Sequence, residues 1–249
     1  MPIAAISAGH NSIVTGASSS YGREELVARD FVERVGHYFR QAGWSVVDCT
    51  DNVGTTQTAI WTNCANNHLR VKSSFDATFH LNSFNGTANG TEVLYHPSYG
   101  SSANCERLGK IVANAFGTNW RGVKSRPELG WLNKTKTDYY FELLFVDNQN
   151  DMQKYNQNAD KAARALVSDV TGVNLDMAAS KYIVTGGLSL NAVVEVGQFF
   201  LDNNWWAKIE FPGKRGENPF AVTGGLGDEA LAKFEAWLKS RGWYYEVRQ

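Results

Sequence analysis

A short apolar run near the start of the chain, within Pro2–Ser12 (PIAAISAGHNS), stops abruptly at Gly9-His10-Asn11, and no other stretch constrains the fold as much. An apolar run closed by glycine reads as a buried strand that delivers His10 to the rim of a sheet. Taken alone, His10 is better read as an ordinary loop histidine. Two later segments repeat the arrangement. Phe75–Leu81 (FDATFHL) has strand character and sets His80 at its end, before the turn-rich stretch 82–90. Tyr139–Phe145 (YYFELLF) is a strand in which Glu142 is the single charge. An ionised carboxylate in such a run is costly unless it is paired or bound to a cation, so Glu142 needs either a salt bridge to Arg or Lys or a functional partner.

Helices separate these strands. From Glu24 to about Ala42, Val27, Phe31, Val35 and Tyr38 recur at spacings of three and four, with Glu24 on the same inward stripe in the first turn. The partial positive charge of a helix start favours a carboxylate there, which is reason enough for Glu24 without any further role. Gly43 ends this helix and Trp44–Val47 reads as a strand. Ala59–Val71 reads as a helix, Glu92–His96 as a strand, Cys105–Phe116 as a helix and Arg121–Lys124 as a basic turn, and a last amphipathic helix runs from beyond Asn156 to near Gly172. His37, His68 and His96 read as surface or structural. The alternation predicts an α/β domain with a mostly parallel sheet flanked by helices. Ligands of such sheets bind beyond the carboxyl ends of the strands, where His10, His80 and Glu142 would converge with Glu24 beside them.

Charge and cysteine usage narrow the partners. Twenty-four Lys and Arg against 25 Asp and Glu leave a net charge of −1, so no bulk field draws the chain to nucleic acid or to an anionic membrane. The first basic residue is Arg23 and no apolar run approaches the roughly 18 residues of a membrane span, so neither signal peptide nor anchor is expected. Cys49, Cys64 and Cys105 are an odd number without CxxC spacing, which speaks against a disulfide framework and a Cys-rich zinc site. They are expected to be buried thiols, and any metal must then take His and carboxylate ligands. Two imidazoles and one carboxylate are a recognised set for catalytic zinc with an open position, and a further carboxylate completes the minimum needed to hydrolyse an amide.

The order of the motifs is more specific than their spacing. Gly9-His10, Gly22-Arg23-Glu24 opening a helix, Phe79-His80-Leu81-Asn82-Ser83, Gly90-Thr91-Glu92-Val93, Arg121-Gly122-Val123-Lys124 and Glu142-Leu143-Leu144-Phe145-Val146-Asp147-Asn148 together resemble the zinc-dependent N-acetylmuramoyl-L-alanine amidases of the type-3 family over about residues 2–172. The resemblance implies Zn2+ held by His10, Glu24 and His80, with Glu142 as the catalytic carboxylate. It also implies hydrolysis of the amide joining the lactyl group of N-acetylmuramic acid to L-alanine in peptidoglycan. Rival readings are a zinc peptidase cutting within the stem peptide and a non-catalytic wall-binding protein that kept the fold.

Beyond a linker at 175–180, the chain repeats itself. Tyr182-Ile183-Val184-Thr185-Gly186-Gly187-Leu188 returns as Phe220-Ala221-Val222-Thr223-Gly224-Gly225-Leu226, and Trp205 returns as Trp243, all at an offset of 38 residues. Each copy reads strand, Gly-Gly turn, helix (Ala192–Leu201; Glu229–Lys239), strand (Trp205–Phe211; Trp243–Val247). Two copies predict a small α+β βαββαβ domain over 181–249, behind a catalytic domain over 1–174. The pattern resembles SPOR-like peptidoglycan-binding domains. Trp205, Trp206, Trp243, Tyr244 and Tyr245 have two uses open to them, stacking on sugar rings or holding a homodimer together, and about half of them can face outward. An amidase followed by a small wall-targeting module looks like a bacteriophage endolysin, expected in the host cytoplasm until lysis and then at the cell wall.

Overall fold

The computed structural model describes residues 1–137, 139–175, 181–203, 205–212 and 217–248, apart from the side chains of Asp228 and Glu229. The chain divides into two compact units, Met1–Leu175 and Asp176–Gln249.

In the first unit a six-stranded sheet has the order β2-β1-β3-β6-β4-β5. Its strands are β1 (Ile3–Ala8), β2 (Ser45–Asp48), β3 (Phe75–Asn82), β4 (Thr91–Tyr95), β5 (Trp120–Ser125) and β6 (Tyr139–Phe145). Strands β2, β1, β3 and β6 run parallel, while β4 pairs antiparallel with β6 and carries β5 along in its own direction. The mostly parallel α/β sheet expected from the sequence is present, with two reversed strands at one edge. Helices α1 (Glu24–Gln41), α3 (Ser102–Phe116) and α5 (Gln149–Thr171) bury their apolar stripes against one face, and α2 (Gln57–Leu69) and α4 (Gly130–Thr135) cover part of the other.

Phe31 of α1 lies at the centre of the main core. Its ring meets Phe79 of β3 edge-on at 5.1 Å and stands 5.6 Å from Phe116 of α3 and 6.4 Å from Tyr155 of α5. One fully buried side chain thus joins all three helices to the strand that carries His80. The three cysteines are buried thiols, and no disulfide joins them.

Two expectations are corrected. Arg121–Lys124 is strand β5 rather than a turn: Arg121 and Gly122 oppose the single residue Glu92, and Gly122 takes φ 94°, so a bulge in a short strand carries turn-like residues. Helix α5 begins at Gln149, well before Asn156. Its first turn is polar, but Asn148 caps it by accepting from the Asp151 amide at 3.1 Å. Asp151 is itself buried, and its Oδ2 accepts from the amides of Gly90 (2.8 Å) and Phe145 (3.0 Å). The polar run therefore fastens the start of β4 to the end of β6.

The second unit consists of β7 (Tyr182–Thr185), α6 (Leu190–Asp202), β8 (Ala207–Glu210), β9 (Phe220–Thr223), α7 (Asp228–Ser240) and β10 (Tyr245–Arg248), in an antiparallel sheet ordered β10-β7-β9-β8. This is the expected βαββαβ order. The outer strands are shorter than the sequence reading: Trp205 and Trp243 precede them, each returning its amide to the end of the preceding helix, at Phe200 O (3.0 Å) and Leu238 O (3.1 Å). The stretch 176–180, read as part of a linker, lies outside the described residues.

Phe31→Ala removes the ring that joins the three helices and should destabilise the first unit by about 3–5 kcal/mol in denaturant unfolding, as expected for a fully buried aromatic.

Candidate active site

The site is assembled at the carboxyl ends of β1 and β3 and the first turn of α1. Past the end of β1, the Gly9 amide still donates to Phe79 O at 3.0 Å, so the chain follows β3 until His10 stands beside it. A side chain on Gly9 is impossible without rearrangement, because its Cβ would lie 1.6–2.2 Å from the His80 ring. Gly16 has φ 69°, and its Cβ would fall 2.4 Å from Glu24 Oε2 and 2.7 Å from His10 Cδ2. These two glycines leave the space into which the three functional side chains fit. Asn11 fixes the loop that follows His10: its Oδ1 accepts from the amides of Ile13 and Val14, and its Nδ2 donates to Asp51 Oδ2 and Gly54 O.

Glu24 Oε1 lies 3.4 Å from His10 Nε2 and 3.1 Å from His80 Nδ1, and the two imidazoles meet edge-on with centroids 5.3 Å apart. All three residues are buried, and one donor atom from each lies within 4.8 Å of the others. The same carboxylate is held from behind by the amides of Leu81 (3.1 Å, to Oε1) and Ala17 (2.9 Å, to Oε2). Burial pushes the His10 pKa down; the charge of Glu24 opposes this and that of His80 adds to it. Burial by itself would raise the Glu24 pKa, but the hydrogen bond and charge of His80, with His10 behind, leave it below the usual carboxylate range. An ionised carboxylate beside a histidine held neutral is the protonation state in which such groups bind a divalent metal, so the donor set fits one.

Glu142 is delivered by β6 in direct register with His80 on β3 and with Glu92 on β4. Its Oε2 is enclosed without a hydrogen-bond partner, and no ion pair reaches it among the described residues. The salt bridge allowed by the sequence is therefore not what offsets it. Burial, with the charges of Glu24 and Glu92, raises its pKa well above the ordinary value, and Arg126 offsets this only in part. Tyr140, two residues earlier on the same face, stacks on the His80 ring at 4.2 Å and 12°. Beside His80, a cavity of about 70 Å³ opens between Trp61, Cys64, Trp131 and Tyr140.

Sequence reasoning gave no role to Tyr140 or Gly16, read Gly9 only as the end of a strand, and quoted Glu92 only within a motif. Glu92 is buried and holds two partners, accepting from Asn82 Nδ2 and Arg121 Nε, each at 2.9 Å. Its position at the head of a strand inside Gly90-Thr91-Glu92-Val93 was the available signal. His37 is half-buried, and His96 is buried and stacks on Tyr99 at 4.4 Å. His68 is buried too, joining Asp76 Oδ1 through Nδ1 and Ser7 Oγ through Nε2, both at 2.9 Å. The connectivity is that of a hydrolytic triad, but Ser7 is fully buried in β1, with Cys64 Sγ 3.1 Å from its hydroxyl. No substrate reaches it, and the network braces α2 against β1 and β3.

Comparison with known proteins locates this geometry in a family. Residues 4–171 match N-acetylmuramoyl-L-alanine amidase. The chain belongs to this family. Residues 202–247 match the PlyG cell wall binding domain. An uncharacterized cell wall amidase of Bacillus anthracis is 27% identical over an alignment of 180 positions that covers 66% of this chain and 34% of the relative; the chain thus spans about a third of that protein. Among solved structures, a putative N-acetylmuramoyl-L-alanine amidase from Neisseria meningitidis is 25% identical with a TM-score of 0.57, covering 70% of this chain and 96% of that one. The fold is also shared with CwlV, an amidase from Bacillus (Paenibacillus) polymyxa (TM-score 0.61, 20% identity, 69% and 97% covered). The catalytic domain of an endolysin targeting Clostridia difficile is likewise similar (TM-score 0.60, 22% identity, 71% and 100% covered).

Two outcomes follow from the buried carboxylates and the glycine cradle. The folded state holds the Glu142 proton more tightly than the unfolded chain, so this group's stabilising contribution is complete below the unfolded carboxylate range and is lost as pH rises. Metal-stripped Glu142→Gln should therefore match the parent in thermal unfolding near pH 4 and exceed it near pH 8. Gly9→Ala should displace His80, which is read as loss of bound metal by elemental analysis with the far-UV circular dichroism kept.

Proposed function

We propose that the first unit is a zinc-dependent N-acetylmuramoyl-L-alanine amidase that hydrolyses the bond between the lactyl carbonyl of N-acetylmuramic acid and the amine of L-alanine. His10 Nε2, Glu24 Oε1 and His80 Nδ1 would hold Zn2+. When bound, the metal supplies Lewis acidity, polarising the scissile carbonyl and acidifying an attacking water. The observation that carries the reading is the lateral register of Glu142 with His80. A carboxylate with an unpartnered oxygen and a raised pKa stands one strand away from a buried two-histidine, one-carboxylate cluster.

Within this reading Glu142 is the proton carrier. Its Oε2 takes a proton from the attacking water and returns it to the nitrogen of L-alanine as the amide breaks, so the amine leaves neutral. The raised pKa makes this carboxylate a stronger base than an exposed one and so favours its taking the proton of the water before handing it on. Glu92, through Asn82 and Arg121, is a positioning residue for the strand beside Glu142. The second unit targets the enzyme to peptidoglycan, and the pairing of an amidase with a PlyG-type wall-binding unit is the organisation of a bacteriolytic enzyme acting at the wall, in the manner of a bacteriophage endolysin.

Digestion of purified peptidoglycan should release stem peptides with a new free amine on L-alanine, read by amine labelling and mass spectrometry; new termini inside the peptide would instead assign a peptidase. Glu142→Ala should keep zinc and wall binding while turnover falls by a factor on the order of 10² or more. His80→Ala should lose the metal together with activity, because a catalytic site has three protein ligands to begin with.

A further inference from the structure

The internal repeat builds a second feature, in the C-terminal unit. Its two halves exchange equivalent contacts at every junction. Ile183 N donates to Thr223 Oγ1 and Ala221 N to Thr185 Oγ1, both at 2.9 Å. Leu188 N returns to Pro219 O and Leu226 N to Lys181 O. Tyr245 pairs with Thr185 as Ala207 pairs with Thr223, and Val184 faces Val222 where the halves meet. The Gly-Gly turn of each half is fastened to the aromatic pair before an outer strand, Gly186 N to Tyr244 O at 2.7 Å and Gly224 N to Trp206 O at 2.9 Å. The backbone frames are therefore equivalent.

The side chains on those frames differ. Both rings lie back on their turns, Trp206 Cε3 3.0 Å from where a Cβ on Gly224 would be and Tyr244 Cδ1 3.2 Å from one on Gly186, but Trp206 is half-buried. Tyr244 is 69% exposed, its hydroxyl held by Glu246 Oε1 at 3.0 Å. Beside Tyr244 a cavity of about 340 Å³ is bounded by Gly186, Gly187, Ser189, Gly242 and Trp243. That volume falls in the range of small-molecule sites, about 300–1,000 Å³.

We infer that this cavity, framed by the Gly186-Gly187 turn and the Trp243-Tyr244 pair, is the ligand site of the C-terminal unit and that it takes an uncharged sugar residue of the wall glycan. The inference rests on the wall-binding reading of that unit and adds its site and ligand class. None of the described residues lining the cavity carries a charge, so an anionic or cationic ligand finds no counter-charge in its wall. The wall consists of the Trp243 and Tyr244 rings, the aliphatic side chains of Leu188 and Ala192, glycine backbone and two hydroxyls, those of Ser189 and Tyr244. A pyranose matches this: its C–H faces lie on aromatic rings and its hydroxyls meet the hydroxyls of Tyr244 and of Ser189, whose Oγ also caps α6 by accepting from the Ala192 amide at 3.2 Å. A stem peptide, with its carboxylates and amines, does not. Glycines at the turn keep the floor open, since a Cβ at Gly186 would stand 3.2 Å from Tyr244 Cβ and Cδ1.

Peptide-free glycan strands, prepared from purified walls, and whole walls are the two probes, each titrated with the full chain by sedimentation. The parent should bind both. Tyr244→Ala should weaken binding to glycan strands about tenfold or more, the loss expected for an exposed aromatic anchor, while Tyr244→Phe, which keeps the ring, should stay within about twofold. Circular dichroism checks that the fold is kept; if Tyr244→Ala does not keep it, Ser189→Gln, which narrows the cavity, carries the test with the same expected loss. Undiminished strand binding by a folded Tyr244→Ala, or equal losses in both Tyr244 variants, would overturn the assignment. A parent that binds whole walls but not glycan strands would overturn the sugar ligand and leave the wall-binding reading standing; a parent that binds neither would overturn both.

Discussion

The first unit is organised around one buried carboxylate shared by two imidazoles. Glu24 gathers four groups: the rings of His10 and His80 and the amides of Ala17 and Leu81. These groups come from the loop after β1, the β1–α1 connection and β3, so a single side chain joins the ends of two parallel strands to the start of a helix. A carboxylate removed from water is tolerated only with such compensation. The core beneath it is arranged to keep that compensation in place, with Phe31, two turns along the same helix, packed on Phe79 beside His80.

The neighbouring Glu142 is treated in the opposite way. It lies in the same sheet, one strand over, yet has an enclosed oxygen without a hydrogen bond and like charges as neighbours. Two carboxyl groups of one site are thereby driven to opposite sides of their ordinary pKa, one towards an ion and the other towards an acid. Divergence of this kind separates the groups that hold a charge from those that exchange a proton.

Much of this was legible in the sequence because each functional residue terminates or interrupts an apolar run, and such interruptions are physically expensive. His10, His80 and Glu142 stand out for that reason, and the helical stripe of α1 put Glu24 on the inward side. What the sequence hid was hidden by composition. The bulge at Arg121-Gly122 made a strand look like a turn, and the polar start of α5 looked like a loop because its buried Asp151 works on distant amides. The glycines at 9 and 16 matter through the side chains that occupy their missing Cβ positions, which only three-dimensional proximity reveals. Glu92 was given no role of its own since its partners, Asn82 and Arg121, lie ten and 29 residues away along the chain.

The exchange of threonine hydroxyls in the C-terminal unit bears on how the duplicated segment has aged. Thr185 completes the backbone of the second copy and Thr223 that of the first, so each copy lacks an internal acceptor for one of its own strand amides. Neither copy is a self-sufficient module, and shedding one would strand a buried donor in the other. Mutual dependence of this sort preserves the seam while leaving the outer faces free to diverge, and Tyr244 and Trp206 are what such divergence looks like.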